Sequence, residues 1–280
     1  MLKKLILFLL KKTGTIYIFS RWKSKCKLFS TALVHRIRYS CTYSAKGYIC
    51  NFCSSKYKKF MPLFPEKNVM KFLNEKQIIS GYGMNNICPA CFSSSRDRLV
   101  KATVDKFFLK KGAKILLFAP SIHEYQALSA IGNVTCCDIN KHLYQHIDKN
   151  TLEYDIRSLQ FKDETFEYVV ANHVLEHVLD DLIAIKEIYR VLKPNGLALL
   201  QIPYTDVAKN EDNELKDENL SEVDRLLRFG QSDHVRVYYS DSYVDKLQSC
   251  NFQVSIESQN NNGNIDHAFQ KNEKIFLVRK

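Results

Sequence analysis

The chain has 280 residues, 45% of them hydrophobic, an ordinary share for a globular protein with room for one large domain or one domain plus a small module. Its net charge of +11 is unevenly placed: Met1 to Pro65 holds 14 Lys or Arg and no acid, leaving 27 basic against 30 acidic side chains in the rest. A uniformly basic folded body is therefore excluded, and the basicity belongs to an N-terminal arm suited to an anionic membrane surface or a nucleic acid.

Residues 1–45 read as a basic amphipathic arm. The apolar run Leu5 to Leu10 lies between Lys3-Lys4 and Lys11-Lys12 and is too short to span a bilayer. As the h-region of a signal peptide it is also short, and no A-x-A-like site follows closely. Two readings stay open: a helix lying on the inner membrane surface, and a flexible arm.

Residues 46–99 form a Cys-rich unit. Cys50-x-x-Cys53 and Cys88-x-x-Cys91 are each flanked by turn-formers and are separated by 34 residues. Two such pairs supply four thiolates in tetrahedral arrangement, the ligand set of a closed structural Zn²⁺ site. Phe60, Phe64, Phe72 and Ile78 offer a mini-core, which in so small a unit would gain from a metal staple. The competing reading is four free thiols in a linker. Neither pair follows a βαβ strand, as a redox CxxC would. Cys136 and Cys137 lie in an apolar run and read as small buried hydrophobes. With no disulfide framework or secretion signal, a reducing, cytoplasmic setting is expected, with the arm able to touch the inner membrane.

The remaining residues, 100–280, alternate strand and helix. A helical segment runs from Ser95 to about Leu109, and Arg96 and Arg98 on it either face an anionic ligand or cover the module. Lys114 to Ala119 is a buried first strand, Pro120-Ser121 starts a helix through Ala130, and Asn133 to Cys137 is a second strand. Asp138 stands just past it, 18 residues beyond Pro120, the spacing at which a nucleotide-binding α/β domain places an acid on ribose hydroxyls. It also fits a plain turn Asp. Phe166 to Ala171 is another buried strand, ending in Asn172, His173, Glu176 and His177. A helix beginning near Asp180-Asp181 is stopped by Lys193-Pro194-Asn195-Gly196, and Leu197 to Ile202 is the next strand. An acidic, Asn-rich insertion follows from Lys209 to Glu222. Ser240 to Ser249 reads as a helix, and Phe252–Ile256 with Lys274–Val278 as a final antiparallel pair joined by an Asn-rich loop at 260–264.

The ordered motifs KILLFAP, CCDIN, YDIRSLQFKDETFEYVVANHVLEH and EIYRVLKPNGLALLQIP resemble those of the class I S-adenosylmethionine-dependent methyltransferases of the type 11 kind, over roughly Lys114 to Ile256. The paired CxxC, FSSSRDRL and FGQSDHVR segments are similar to those of a bacterial subgroup with a Cys-rich module before the catalytic domain. The resemblance implies a Rossmann-like α/β sheet with helices on both faces, preceded by a small zinc-ribbon-like module, with 100–280 as the methyltransferase domain. It implies S-adenosylmethionine as cofactor, held by Phe118, Ala119 and Pro120 after the first strand, by Asp138 on the ribose and by Asp155 and Ile156 at the adenine. Asn172 and His173 would line the place of the methyl group. One departure stands out: the family's first loop is Gly-rich, whereas Ala119-Pro120-Ser121 has no Gly.

Methyl transfer from a sulfonium needs alignment of donor and acceptor, and an oxygen acceptor gains from a base. His173, nearest the strand tip, is the first candidate; Asp233-His234 is the second. Glu176 and His177 read as support for the helix below the site. A metal held by His173, Glu176 and His177 is the weaker pattern, since HxxxH lacks a third placed ligand. Arg225, Arg228 and Arg236 would grip an acidic substrate or pair with the insertion. The leading expectation is O-methylation of a small-molecule or glycan acceptor near the inner membrane. A nucleic-acid methyltransferase using the arm and zinc module is the alternative, opposed by the slightly acidic body and the absence of an N/D-P-P-Y/F motif. A non-catalytic binding module, suggested by the Gly-poor loop, is the third.

Overall fold

The computed structural model describes residues 47–207, 220–258, 266–270 and 273–280. The basic arm, most of the acidic insertion and the Asn-rich loop lie outside them.

Seven strands form one sheet: β5 (Ala113–Phe118), β6 (Gly132–Asp138), β7 (Leu152–Glu153), β8 (Phe166–Asn172), β9 (Leu192–Gln201), β12 (Gln253–Ser258) and β13 (Lys274–Arg279). Their spatial order is β12-β13-β9-β8-β5-β6-β7. β5 pairs in parallel with β6 on one side and β8 on the other, and β9 continues in parallel. Only β13 is reversed, antiparallel to both β9 and β12. This is the expected Rossmann-like sheet.

Helices cover both faces because the crossovers run in opposite directions. The helix α3 (Ile122–Ser129) carries the chain from β5 outward to β6, and α4 (Asp181–Val191) carries it from β8 the other way to β9. Right-handed crossovers moving apart place their helices on opposite faces and leave a crevice at the reversal. Along β5, Ile115 and Leu117 pack under α3 and α2 (Ser95–Phe107), while Leu116 and Phe118 pack under α4 and α6 (Ser240–Ser249). That alternation is the strand period of two.

The helix α4 ends at Val191 as the Pro194 signal demands, since the residue before a proline is driven out of the helical region. The strand begins at once, however: Leu192 already pairs with Phe166, and the KPNG turn becomes a bulge inside β9.

The Cys-rich unit is built of two turns, each leaning on a short antiparallel pair. β1 (Tyr48–Ile49) pairs with β2 (Lys56–Tyr57), and β3 (Met61–Leu63) with β4 (Gly83–Ile87), with α1 (Lys67–Glu75) inserted between β3 and β4. Its core differs from the expected one. Phe60 packs with Cys50, Cys88 and Ala268, but Phe64 is exposed, and Phe72 and Ile78 pack instead on Phe229, Val235 and Val237 beyond the sheet. α1 therefore serves as a strut to α5 (Glu222–Phe229) rather than as filling for the module. α2 starts at Ser95, immediately after the second turn, and its Leu99, Val100 and Val104 are buried against the sheet.

Arg98 joins the two parts. It is fully buried and donates to five main-chain carbonyls, those of Asn85, Asn86, Ser93, His267 and Ala268, with its guanidinium 4.8 Å from the Phe60 ring centre. No ligand role is left for it. Arg236 is likewise internal, paired with Asp181 and donating to the Leu179 carbonyl, rather than directed at a substrate.

Candidate functional site

The strands β5 and β8 both end on a residue with left-handed backbone. Ala119 has φ +44° and His173 has φ +57°, each just past its strand. Their amide protons go sideways to neighbouring strands, Ala119 to the Cys137 carbonyl at 3.2 Å and His173 to Gln201 at 2.8 Å. The two chains thus peel apart at the switch point, and a cleft of about 360 Å³ opens there. The Gly-rich loop of the resemblance is absent, yet Ala119 adopts a conformation of the kind glycine ordinarily supplies.

Phe118, Ala119, Asp138, Asp155, Ile156, His173 and Asp233 all line this cleft, the first six brought together from four separate strand ends and Asp233 from the loop after Glu222–Phe229. Asp138 accepts the Asn140 amide at 2.7 Å through Oδ1, and burial raises its carboxyl above the usual range. Asp155 is held in a fork by Arg157, with Nη2 to Oδ2 at 2.7 Å, and that pairing lowers its pKa. Ile139, Tyr144, Tyr154 and Val178 add apolar and aromatic walls. The sequence reading passed over them, although Ile139 and Tyr154 adjoin Asp138 and Asp155, and strand-end adjacency alone would have found them.

Three expected residues are not on the cleft wall. Pro120 is absent from it, and His234 is buried just behind it. The Asn172 side chain points to the opposite face, donating to Glu124, because successive strand residues face opposite ways. Glu124 is fully buried in the first turn of α3, where it completes a capping box with Ser121. Burial, then the nearby Asp97, raises its pKa to about 7.

His173 hydrogen-bonds Glu176 through Nδ1 at 3.1 Å. Burial and the charge of Arg96 hold the imidazole down at about 4, so it is neutral at pH 7. Burial would raise Glu176, but its histidine neighbours outweigh that and leave it ionised, at about 2. His173 and His177 do not share a helix face, because Leu175–His177 forms a 3₁₀ turn. His177 instead meets Asp233, with the carbonyl at 3.2 Å, and packs edge-on against His234 at 4.7 Å.

In the Cys module the four sulfurs cluster. Cys50 and Cys91 lie 3.6 Å apart and Cys53 and Cys88 3.8 Å apart. A tetrahedron with metal–sulfur bonds of about 2.3 Å has edges of about 3.8 Å, so the spacing fits Zn²⁺. The two turns are alike. Ser54 donates to Cys50 O and Phe92 to Cys88 O, each from a left-handed residue, and Ser93 Oγ lies 3.3 Å from both Cys50 and Cys91.

Residues 121–200 match the family model described as a methyltransferase domain. The demethylmenaquinone methyltransferase of Staphylococcus haemolyticus is 35% identical over 80 residues, covering 26% of this chain and 34% of its own. The ubiquinone/menaquinone biosynthesis C-methyltransferase of Haemophilus ducreyi is 32% identical over 114 residues, 35% of this chain and 44% of its own. The chain thus spans less than half the length of these curated relatives. Among solved structures, a SAM-dependent methyltransferase from Archaeoglobus fulgidus aligns over 75% of this chain and 99% of its own, at 14% identity and a TM-score of 0.46.

Proposed function

With residues 121–200 belonging to a methyltransferase domain, we propose that the chain transfers a methyl group from S-adenosylmethionine to a small-molecule acceptor. The observation that carries this reading is the half-buried Asp138 at the tip of β6, beside the crevice between β5 and β8. Its carboxylate suits a ribose diol, Ile139, Tyr154 and Ile156 suit the adenine, and the cleft volume suits a nucleoside with a short tail. When bound, the cofactor supplies a methyl group on a positively charged sulfur.

What the protein adds is placement and a base. His173 is neutral, with its Nδ1 fixed by Glu176, so the ring's lone pair is left on Nε2. That Nε2 is buried with no partner in the protein. It can take the proton of an acceptor hydroxyl while the Glu176 carboxylate stabilises the imidazolium that forms. Deprotonating a phenol or hydroquinone prepares either its oxygen or its ring carbon for methylation. The apolar Val174, Val178 and Leu179 favour such a planar acceptor over a glycan. The quinone-pathway names of the two curated relatives point the same way.

We assign a structural Zn²⁺ to Cys50, Cys53, Cys88 and Cys91. The setting is a reducing one, with the arm of residues 1–45 as contact to an anionic membrane surface; fractionation of a chain lacking residues 1–40 checks that contact. Calorimetry with S-adenosylmethionine tests the main reading. Asp138→Asn should weaken binding by about 10- to 100-fold, the loss of one charged hydrogen-bond partner. An absence of heat with the intact chain would leave a non-catalytic module. Label transfer over phenol, hydroquinone, saccharide and nucleic-acid acceptors then fixes the acceptor class.

A further inference from the structure

We propose that Glu176, His177 and His234 form a second metal site, for a divalent first-row transition ion, behind the acceptor side of the cleft. One ligand atom from each lies within 4.8 Å of the other two. The third ligand that the HxxxH pattern lacked comes from 57 residues downstream of His177. Glu176 and His177 are neighbours on the 3₁₀ turn after β8. His234 is brought to them by a main-chain bond, the Val235 amide to the Glu176 carbonyl at 2.9 Å. The site is therefore preset by backbone, not by side-chain chance.

Two further observations point to a ligand. Glu176 is 1% exposed, and its Oε2 has no hydrogen-bond partner, although Oε1 is taken by His173. A carboxylate oxygen buried without a partner is unfavourable, and a cation would satisfy it. His234 is 5% exposed, and among the described residues none hydrogen-bonds its ring. His177 is more exposed, and the Asp233 carboxylate stands 3.5 Å from it as a further oxygen donor. The Arg96 charge opposes a cation here, while Glu176 and Asp233 favour one.

Bonds of about 2.1 Å bring neighbouring ligands to roughly 3.0–3.4 Å, so the three side chains draw together on binding. Two imidazoles and a carboxylate select Mn, Fe, Co, Ni or Zn over Mg or Ca. His173, bonded to the other Glu176 oxygen, orients the ligating carboxylate. His177 and Asp233 line the cleft, so the ion's open positions face it and would hold an oxygen of the acceptor. That last role rests on the methyl-transfer reading; the metal site itself does not.

Co²⁺ titrated into the zinc-loaded full chain tests the site. One Co²⁺ per chain should bind, with d–d absorption but without the intense thiolate charge-transfer bands of a cysteine site. His234→Ala and His177→Gln should each weaken this binding at least tenfold, with zinc content and circular dichroism unchanged. The inference is overturned if no saturable Co²⁺ binding appears, or if folded His177→Gln binds as the parent does. Calorimetry with S-adenosylmethionine alongside separates the two failures. Cofactor bound without Co²⁺ sinks only the metal site, and Co²⁺ bound without cofactor sinks only the methyl-transfer reading.

Discussion

In the Cys module the converging side chains come from two turns of the same backbone geometry, each set within five residues. In the cleft they come from four strand ends and a distant loop, and nothing local says that Asp138 and His173 will meet. The module holds few buried side chains around its four clustered sulfurs, whereas the cleft rests on two continuous apolar layers over the sheet. The two regions are joined by Arg98, by α1 and by main-chain bonds between Ile79 and Tyr204 and from Ile49 to Asp266. A small unit that cannot bury enough surface must be stapled, and a large one can leave its functional groups unpaired because its core holds the frame.

Metal removal should separate the regions most strongly. Chelation, or Cys88→Ser, should melt residues 46–99 with a loss of several kcal/mol while the central sheet retains slow amide exchange. Equal loss of protection in β5 and β8 would break the distinction. Arg98→Ala comes next, with an expected loss of about 3–5 kcal/mol from five orphaned carbonyls and a lost buried cation. A scan should then show two transitions in place of one. An unchanged single transition would mean that α1 and the main-chain bonds hold the parts together without Arg98.

A smaller effect per residue concerns two buried carboxyls against the sheet. Burial raises Glu273 to about 7 despite Arg96, and burial with Asp97 raises Glu124 to about 7. Both folded values exceed the ordinary carboxyl value of 4.5. The fold therefore holds these protons more tightly than the unfolded chain does. Their contribution is complete below about pH 4.5 and is lost as pH rises to about 7. Urea unfolding should show about 2.5 kcal/mol less stability at pH 8 than at pH 5 for each of these groups, about 5 kcal/mol for both, and Glu273→Gln should remove about half of that slope. Smallest is Ala119→Gly, which relieves a left-handed alanine and should stabilise by about 1 kcal/mol. Thermal melts with and without S-adenosylmethionine will show whether the cleft gains as well.

Much of the frame was legible in the sequence. Lys114–Ala119, Asn133–Cys137 and Phe166–Ala171 each coincide with a buried strand to within a residue or two, because parallel strands covered on both faces must be apolar throughout. The final antiparallel pair was equally clear from its alternation. The mini-core was less so. Phe72 and Ile78 are apolar enough for either of two cores, and only packing chose the one beyond the sheet. Asn172 looked like a site residue beside His173, but pleating sends it to Glu124 on the other face.

Sequence by itself determined the order of strands and helices, the two Cys turns and the acid at the tip of β6. These follow from local period, turn chemistry and spacing, which need no knowledge of distant residues. Tertiary structure alone decided that Arg98 would be an internal clamp, that Ala119 would take a left-handed backbone without being glycine, and that His234 would close on Glu176 and His177. Those outcomes depend on which chain segments the sheet brings within a few ångströms. Partners tens of residues apart leave no periodic trace in the sequence.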